Sequence, residues 1–275
     1  MQNQNTKFLI YFIILIKVIF SFIFISISLA EENQIGTISE INGNAIIKTN
    51  DSEQRDVSLF DPIHLNEEII VKVNSSITLE FDDGTSIILK EFTSYKVTDY
   101  INTKSSPSFY SEVSSGKVIV ETGSIAKKQS GKMELQIKKS NLSLKGTRLN
   151  ASLNETGQLD VSLGEDNFGN TGLIEMTSDG QKQSIFSTNQ VLQVTDEGVS
   201  AREKTDEEIN EEKSANEVFV KNSSVNEEEL EVQLVAKLAS GKIQDINNDG
   251  IINTSDVDEL KQQILNQKKA KIEFI

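Results

Sequence analysis

The sequence predicts a mainly β protein that ends in a small helical module, and three observations carry that expectation. The 275 residues include two prolines and fifteen glycines beside many Ile, Val, Ser and Thr, a composition suited to strands closed by Gly, Asn and Asp turns. Between residues 35 and 200, short apolar stretches and turn residues alternate roughly every 8–12 residues, the spacing of a sandwich, barrel or solenoid. Beyond residue 225, two amphipathic segments flank an oxygen-rich dodecapeptide.

The chain opens on polar "MQNQNTK", followed by "FLIYFIILIKVIFSFIFISISLA". Lys7 gives the run a basic start, and Ser28 and Ala30 are small residues at the −3 and −1 positions of a cleavage site, so residues 1–30 read as a signal peptide. The alternative is an uncleaved anchor, because Phe8 to Leu29 is long enough to span a bilayer, although Lys17 near its centre would cost about 2.5–3.5 kcal/mol there. Either way residues 31 onwards are exported, to the periplasm or the exterior, or held outward from an inner-membrane anchor. A membrane is a partner only in the uncleaved case. No cysteine follows the run, which excludes a lipoprotein anchor.

The formal charge of −15, which becomes −17 when Lys7 and Lys17 are removed, disfavours nucleic acid and anionic membrane surfaces. With no Cys and only His64, the chain lacks a cysteine nucleophile, thiolate zinc, iron–sulfur and multi-histidine sites. His64, in "FDPIHLNEE", has no catalytic context and is given no role. The expectation is a protein that is not an enzyme.

In the β region, residues 31–198, "IGTISEINGNAIIKT" sets Asn42-Gly43 between alternating apolar positions and predicts a hairpin. Ile77, Leu79 and Phe81 alternate up to "DDG", and Ile87 and Leu89 follow it, which predicts a second hairpin at Asp82-Asp83-Gly84. Adjacent carboxylates on such a turn point apart, so Asp82 and Asp83 are read as turn residues rather than a catalytic pair. Further strands are expected in "SSGKVIVETGSI", "GKMELQIKKSNLSLKGTRLNASL", "NETGQLDVSLG" and "SDGQKQSIFSTNQVLQV".

"VSLFDPIHLNEEIIVKVNSSITLEFDDGTSIIL", "EFTSYKV" and "LSLKGTRLNASLNETGQLDVSLGE" together resemble the FecR-type periplasmic β domain. The resemblance covers about residues 35–195 and rests on Ile69, Phe81, Asp83-Gly84, Leu89, Gly146-Thr147, Leu149, Gly157, Val161 and Gly164. Phe60 stands where the family pattern has its entry glycine, and the threonine usual after the start of the Ile69 strand is missing. The resemblance implies an all-β, solenoid- or roll-like domain used for protein–protein contact. Regulators of that family carry a cytoplasmic segment that holds a sigma factor; here seven residues precede the apolar run, too few for such a segment.

From Asp196 to Glu231 thirteen acids face four bases, and residues 199–224 are read as a solvated acidic linker. Residues 225–275 form the helical module. Asn226 is placed to cap a helix with Leu230, Leu234, Val235 and Leu238 on one face, and Val257, Leu260, Ile264 and Leu265 share a face of a second.

Between them, "DINNDGIINTSD" puts side-chain oxygens at loop positions 1 (Asp245), 3 (Asn247), 5 (Asp249), 9 (Asn253) and 12 (Asp256), with Gly250 at the sharp turn and the Ile251 carbonyl at position 7. This is the EF-hand ligand pattern, and the expected ion is Ca²⁺. Magnesium fits a flexible seven-oxygen loop less well. "DINNDGIINTSDVDELKQQIL" resembles the calcium-binding repeat of type I dockerin modules, usually present twice; "VNEEEL" at 225–230 is at most a decayed copy. That resemblance implies a protein partner such as a cohesin-like module, and the alternative is a calcium clip that folds its own helices.

The leading expectation is an exported, non-enzymatic interaction protein that joins a FecR-like β domain to a dockerin-like calcium module, its partner a cohesin-like module or an envelope protein. One alternative is a membrane-anchored periplasmic signalling or sensor protein of FecR type. Another is an accessory component of a polysaccharide-degrading assembly, weakened by the absence of Trp.

Overall fold

A computed structural model describes residues 34–273 apart from 50–52, 166–171, 186, 224–226, 240, 242, 244 and 248. The apolar run at 8–29 and the proposed cap Asn226 lie outside the described residues. Among the described residues, no helix is long and apolar enough to cross a membrane.

The protein is mainly β. Among the described residues, seventeen strands run in chain order: β1 (Gln34–Asn42), β2 (Ala45–Lys48), β3 (Gln54–Asp56), β4 (Pro62–His64), β5 (Glu68–Val71), β6 (Ser76–Phe81), β7 (Ser86–Leu89), β8 (Ser94–Ile101), β9 (Ser108–Glu121), β10 (Lys132–Ile137), β11 (Ser140–Lys145), β12 (Arg148–Leu153), β13 (Leu159–Gly164), β14 (Leu173–Ser178), β15 (Gln181–Ile185), β16 (Gln190–Thr195) and β17 (Gly198–Glu203). They form two layers. One has the order β17-β16-β13-β12-β9-β7-β6-β1-β4. The other has the order β15-β14-β11-β10-β9-β8-β5-β2-β3. After β9 the chain lays hairpins alternately on the two layers, each further out than the last.

β9 is common to both layers. Residues 108–115 pair with β8 and residues 116–121 with β12 and β7. The change of layer falls at Gly116, whose φ is +83°. A side chain there would put its Cβ 2.4 Å from the Thr93 Cα, so the crossing needs glycine both for its torsion and for its bareness. The pairing of β9 with β10 is parallel, and the return it requires is made through a short helix, α1 (Ser124–Lys127).

Alternation places the core between the layers. β10 and β11 show complementary buried–exposed patterns, and Ile38, Ile47, Ile69, Leu79, Leu142 and Val161 belong to one continuous apolar cluster. Phe81 meets Phe109 edge-on at 4.8 Å between ring centroids, a favoured aromatic geometry.

The Asp82–Gly84 turn is the expected hairpin, joining β6 to β7. Asn42-Gly43 is not one: β1 pairs with β4 and β6, whereas β2 pairs with β3 and β5 in the other layer. Asn-Gly supplied the left-handed torsion, φ +85° at Gly43, but the turn carries the chain between layers. Local sequence cannot separate these two outcomes, because both need the same torsion.

The acidic stretch expected to be a solvated linker also differs. It contains β17 and an 18-residue helix, α2 (Asp206–Ser223). Thr205 and Glu208 form a capping box at its start: Thr205 N–H donates to Glu208 Oε2 at 2.8 Å, and Glu208 N–H donates to Thr205 Oγ1 at 3.3 Å, which satisfies two groups the helix end would leave bare. Two further helices follow, α3 (Glu227–Ala239) and α4 (Thr254–Glu273). Residues 34–275 cluster as one compact unit.

Candidate functional site

The sequence motifs of the β region meet at one point. The Asp83 carboxylate, 1% exposed, accepts from Thr85 N–H at 3.1 Å, Thr85 Oγ1 at 2.9 Å and Ile125 N–H at 3.2 Å. Gly123 N–H donates to Thr85 Oγ1 at 3.0 Å. On the other side of the same segment, Thr147 N–H donates to Thr122 Oγ1 at 2.7 Å, and that hydroxyl donates to the Thr147 carbonyl at 2.8 Å. Thus Asp83-Gly84-Thr85 and Gly146-Thr147, far apart in sequence, hold residues 122–125 between them. Burial raises the Asp83 carboxyl above the ordinary range despite the Thr85 and Ile125 hydrogen bonds. All but the Thr85 Oγ1–Asp83 bond tie backbone in place. The group is structural, as expected for Asp83 from turn chemistry.

His64 lies 3.4 Å from Glu67 through Nδ1. Glu67 also meets Arg55 at 3.3 Å. Burial acts to raise the Glu67 carboxyl, and His64 and Arg55 outweigh it, so it sits below its ordinary range. The triad anchors the strand-to-strand turns around β4, where Arg55 also pairs with Asp61 at 3.1 Å.

Sequence reasoning missed the buried polar interface beneath α2. Arg148, 1% exposed, pairs with Glu121 through Nη2 at 2.6 Å and donates to Asn216 of the helix at 2.8 Å. Its guanidinium sits 4.9 Å from the centroid of the Phe219 ring, a cation–π distance. Phe219 and Ala215 in turn cover Ile88 and Ile119 on the outer face of the layer. Around this apolar centre run the ion pairs Lys117–Glu211, Lys204–Glu212 and Arg202–Glu208. Arg202 also reaches Asp160 at 2.8 Å. The Arg202 hydrogen bonds hold the Glu208 carboxyl down to about 2. The available signals were the Thr205–Glu208 cap and the spacing of Ala215 and Phe219, both overshadowed by the charge count.

The C-terminal helices share a core with the β region. Leu230 and Leu234 of α3, Ile243, and Val257, Leu260 and Ile264 of α4 pack around Phe60, with Leu238 and Leu265 at the margin. Val235, expected on the apolar face, is exposed, because the face that meets Phe60 is narrower than the sequence spacing suggested. Phe60 itself has φ +63°, a torsion that favours glycine, and uses its ring to seat the helices. Lys237 of α3 adds contacts with the Leu59 carbonyl and with Asp61 Oδ1.

The dodecapeptide is organised by its own side chains. Asp245 accepts from Asp249 N–H at 3.2 Å and Gly250 N–H at 2.7 Å. Asn247 Oδ1 accepts from Asp249 N–H, and Asp249 Oδ1 from Ile251 N–H. Asn253 Oδ1 accepts from Ser255 N–H, and Asp256 Oδ2 from Asn253 N–H at 2.8 Å, a capping box at the start of α4. Asp256 Oδ1 accepts from Ile246 and Asn247. The bonds from Asn253, Ile246 and Asn247 hold the Asp256 carboxyl below its ordinary range.

Among the described residues, no three acidic or imidazole side chains gather closely enough to hold a metal by themselves. The hard-oxygen donor set of Asp245, Asn247, Asp249, Asn253, Asp256 and the Ile251 carbonyl nevertheless suits calcium chemically, and one loop carries all six. Each of the six already accepts a hydrogen bond within the loop, the Ile251 carbonyl from Asn253 Nδ2 at 3.1 Å.

No family model matches the chain, and no curated protein matches it. Among solved structures, two crystal structures of a candidate anti-sigma factor from Parabacteroides distasonis ATCC 8503 align at TM-score 0.42 and 15% identity, over 52% of this chain and 62% of theirs. A cell surface anchoring domain aligns at TM-score 0.25 and 30% identity, over 26% of this chain and 97% of its own. The chain therefore spans less than two thirds of the length of the anti-sigma structures.

Proposed function

We propose that the chain is an exported, non-enzymatic protein-interaction protein of FecR type, in which the two-layer β region receives a partner protein in a signalling role. The observation that carries the reading is the use of the FecR-like motif residues: Asp83 and Thr147 are tied into backbone locks, while Phe60, which departs from the pattern, seats the helices. The motifs therefore support a binding scaffold. The helical module also shares its core with the β region, which favours an integrated signalling domain over an independent docking module on a tether. Mass analysis of the mature N-terminus tests how the protein is held: Glu31 as first residue means release after cleavage, and an intact Met1 means an outward-facing anchor.

A second reading, a calcium-binding clip or docking module, is favoured by one observation: the turns that order Asp245, Asn247 and Asp249 are built from the residues that would hold the ion. Bound calcium would supply charge to neutralise the loop and fix α3 and α4 relative to one another. Calorimetric titration should give a saturable calcium signal that the Asp245→Ala, Asp249→Ala double variant abolishes. No heat with the wild-type chain, or the same heat with the variant, removes this reading and leaves the first intact.

A further inference from the structure

Six non-glycine residues among those described have positive φ: Phe60, Asn66, Asn74, Phe92, Lys138 and Asp179. Asn and Asp tolerate the left-handed region because their short polar side chains bond locally, whereas a bulky aromatic residue there is a marked outlier. The two phenylalanines thus need a reason for being where Asn or Gly would serve. For Phe60 it is visible, since the residue is 7% exposed and buried among the C-terminal helices. Phe92, at φ +61°, is 60% exposed.

Its turn is firmly held. Phe92 N–H donates to the Val71 carbonyl at 3.1 Å, and Ser115 Oγ donates to the Phe92 carbonyl at 2.7 Å. The ring is therefore displayed from fixed backbone on the wall of a cleft of about 740 Å³. Asn74 and Lys138, also at positive φ, line the same cleft, and such torsions concentrate where a structure is shaped for a ligand. The rest of the wall mixes short polar residues, including Ser76, Ser114 and Asn154, with Leu153 and the stems of longer side chains, and its three lysines are matched by three glutamates.

We infer that this cleft binds a neutral oligosaccharide, with Phe92 as the platform on which one sugar ring stacks. The balanced charge gives no advantage to phosphate or to a strongly ionic ligand, while hydroxyls and amides exchange hydrogen bonds with sugar hydroxyls in both directions. An apolar partner helix would find one exposed ring amid serines and asparagines. The volume suits about two or three sugar rings, within the usual range of ligand pockets. The saccharide site is separate from the protein-binding reading above and does not depend on it.

The test is calorimetric titration of the full mature chain with maltotriose, cellotriose, mannotriose and triacetylchitotriose, each up to about 10 mM, a range that captures weak sites. At least one should saturate. Phe92→Asn, which suits the left-handed turn, should weaken that binding by about tenfold or more as the stacking face is lost. The same variant should melt no lower than the wild type. Phe92→Tyr should bind within about threefold of wild type, because the ring face is retained. No saturation by any of the four sugars, or undiminished binding by Phe92→Asn, overturns the inference.

Discussion

Phe60 shows at the scale of one residue how a departure from a pattern acquires meaning. A left-handed torsion on a residue other than glycine costs roughly 1–2 kcal/mol, and burying a Phe side chain returns about 1.5–3 kcal/mol. Phe60→Ala keeps the strain and loses the burial, so it should destabilise by about 3–5 kcal/mol, and Phe60→Gly by roughly 1 kcal/mol less. Urea unfolding of both variants checks the order. Thr122→Val removes the acceptor of Thr147 N–H and leaves a buried donor unmet, at about 1–3 kcal/mol. Glu121→Ala takes the carboxylate partner from the buried Arg148 and should cost about 3–5 kcal/mol. Phe60 was legible as a substitution, yet its partners lie about 170 residues later in the chain, beyond the reach of any local pattern. Arg148, in "KGTRLN", carried no signal at all, because a buried ion pair has no periodicity.

At the scale of elements, strands were more legible than their pairing. Alternation marks a face, and a one-step choice of layer leaves alternation unchanged; that is why Asn42-Gly43 reads as a hairpin and acts as a crossing. Helix α2 was hidden for a different reason. Its mean composition is that of a solvated segment, and its stability comes from ion pairs with the sheet beneath it and from its own Phe219, seated on Ile88 and Ile119. Its docking should therefore respond to acid. The folded Glu208 carboxyl titrates at about 2 against an ordinary value of 4.5, so its contribution is complete above about pH 4.5 and is lost as pH falls towards 2. The buried Asp83, shifted upward, works in the opposite sense and does not explain a loss in acid. Arg202→Met should lower the melting temperature at pH 7 and have a smaller effect near pH 3; an equal effect at both values would refute the pairing.

At the scale of the whole molecule, the β region, the polar-docked α2 and the C-terminal helices on Phe60 form one unit. The turn-forming Asx spacing of the twelve-residue loop was legible in sequence, since its hydrogen bonds are local. How that loop relates to the β region was not, because the contacts through Leu230, Leu234 and Leu260 depend on the tertiary fold. Unfolding should accordingly be a single transition when followed at the β layers and at α4, and Phe60→Ala should separate the two signals. The central claim, a β scaffold that binds its partner protein without help from calcium, is tested most directly by affinity capture from the native cell with the full mature chain, in the presence and absence of a chelator. The account predicts recovery of the same envelope protein in both conditions. Recovery only when calcium is present would contradict it and assign partner binding to the C-terminal loop.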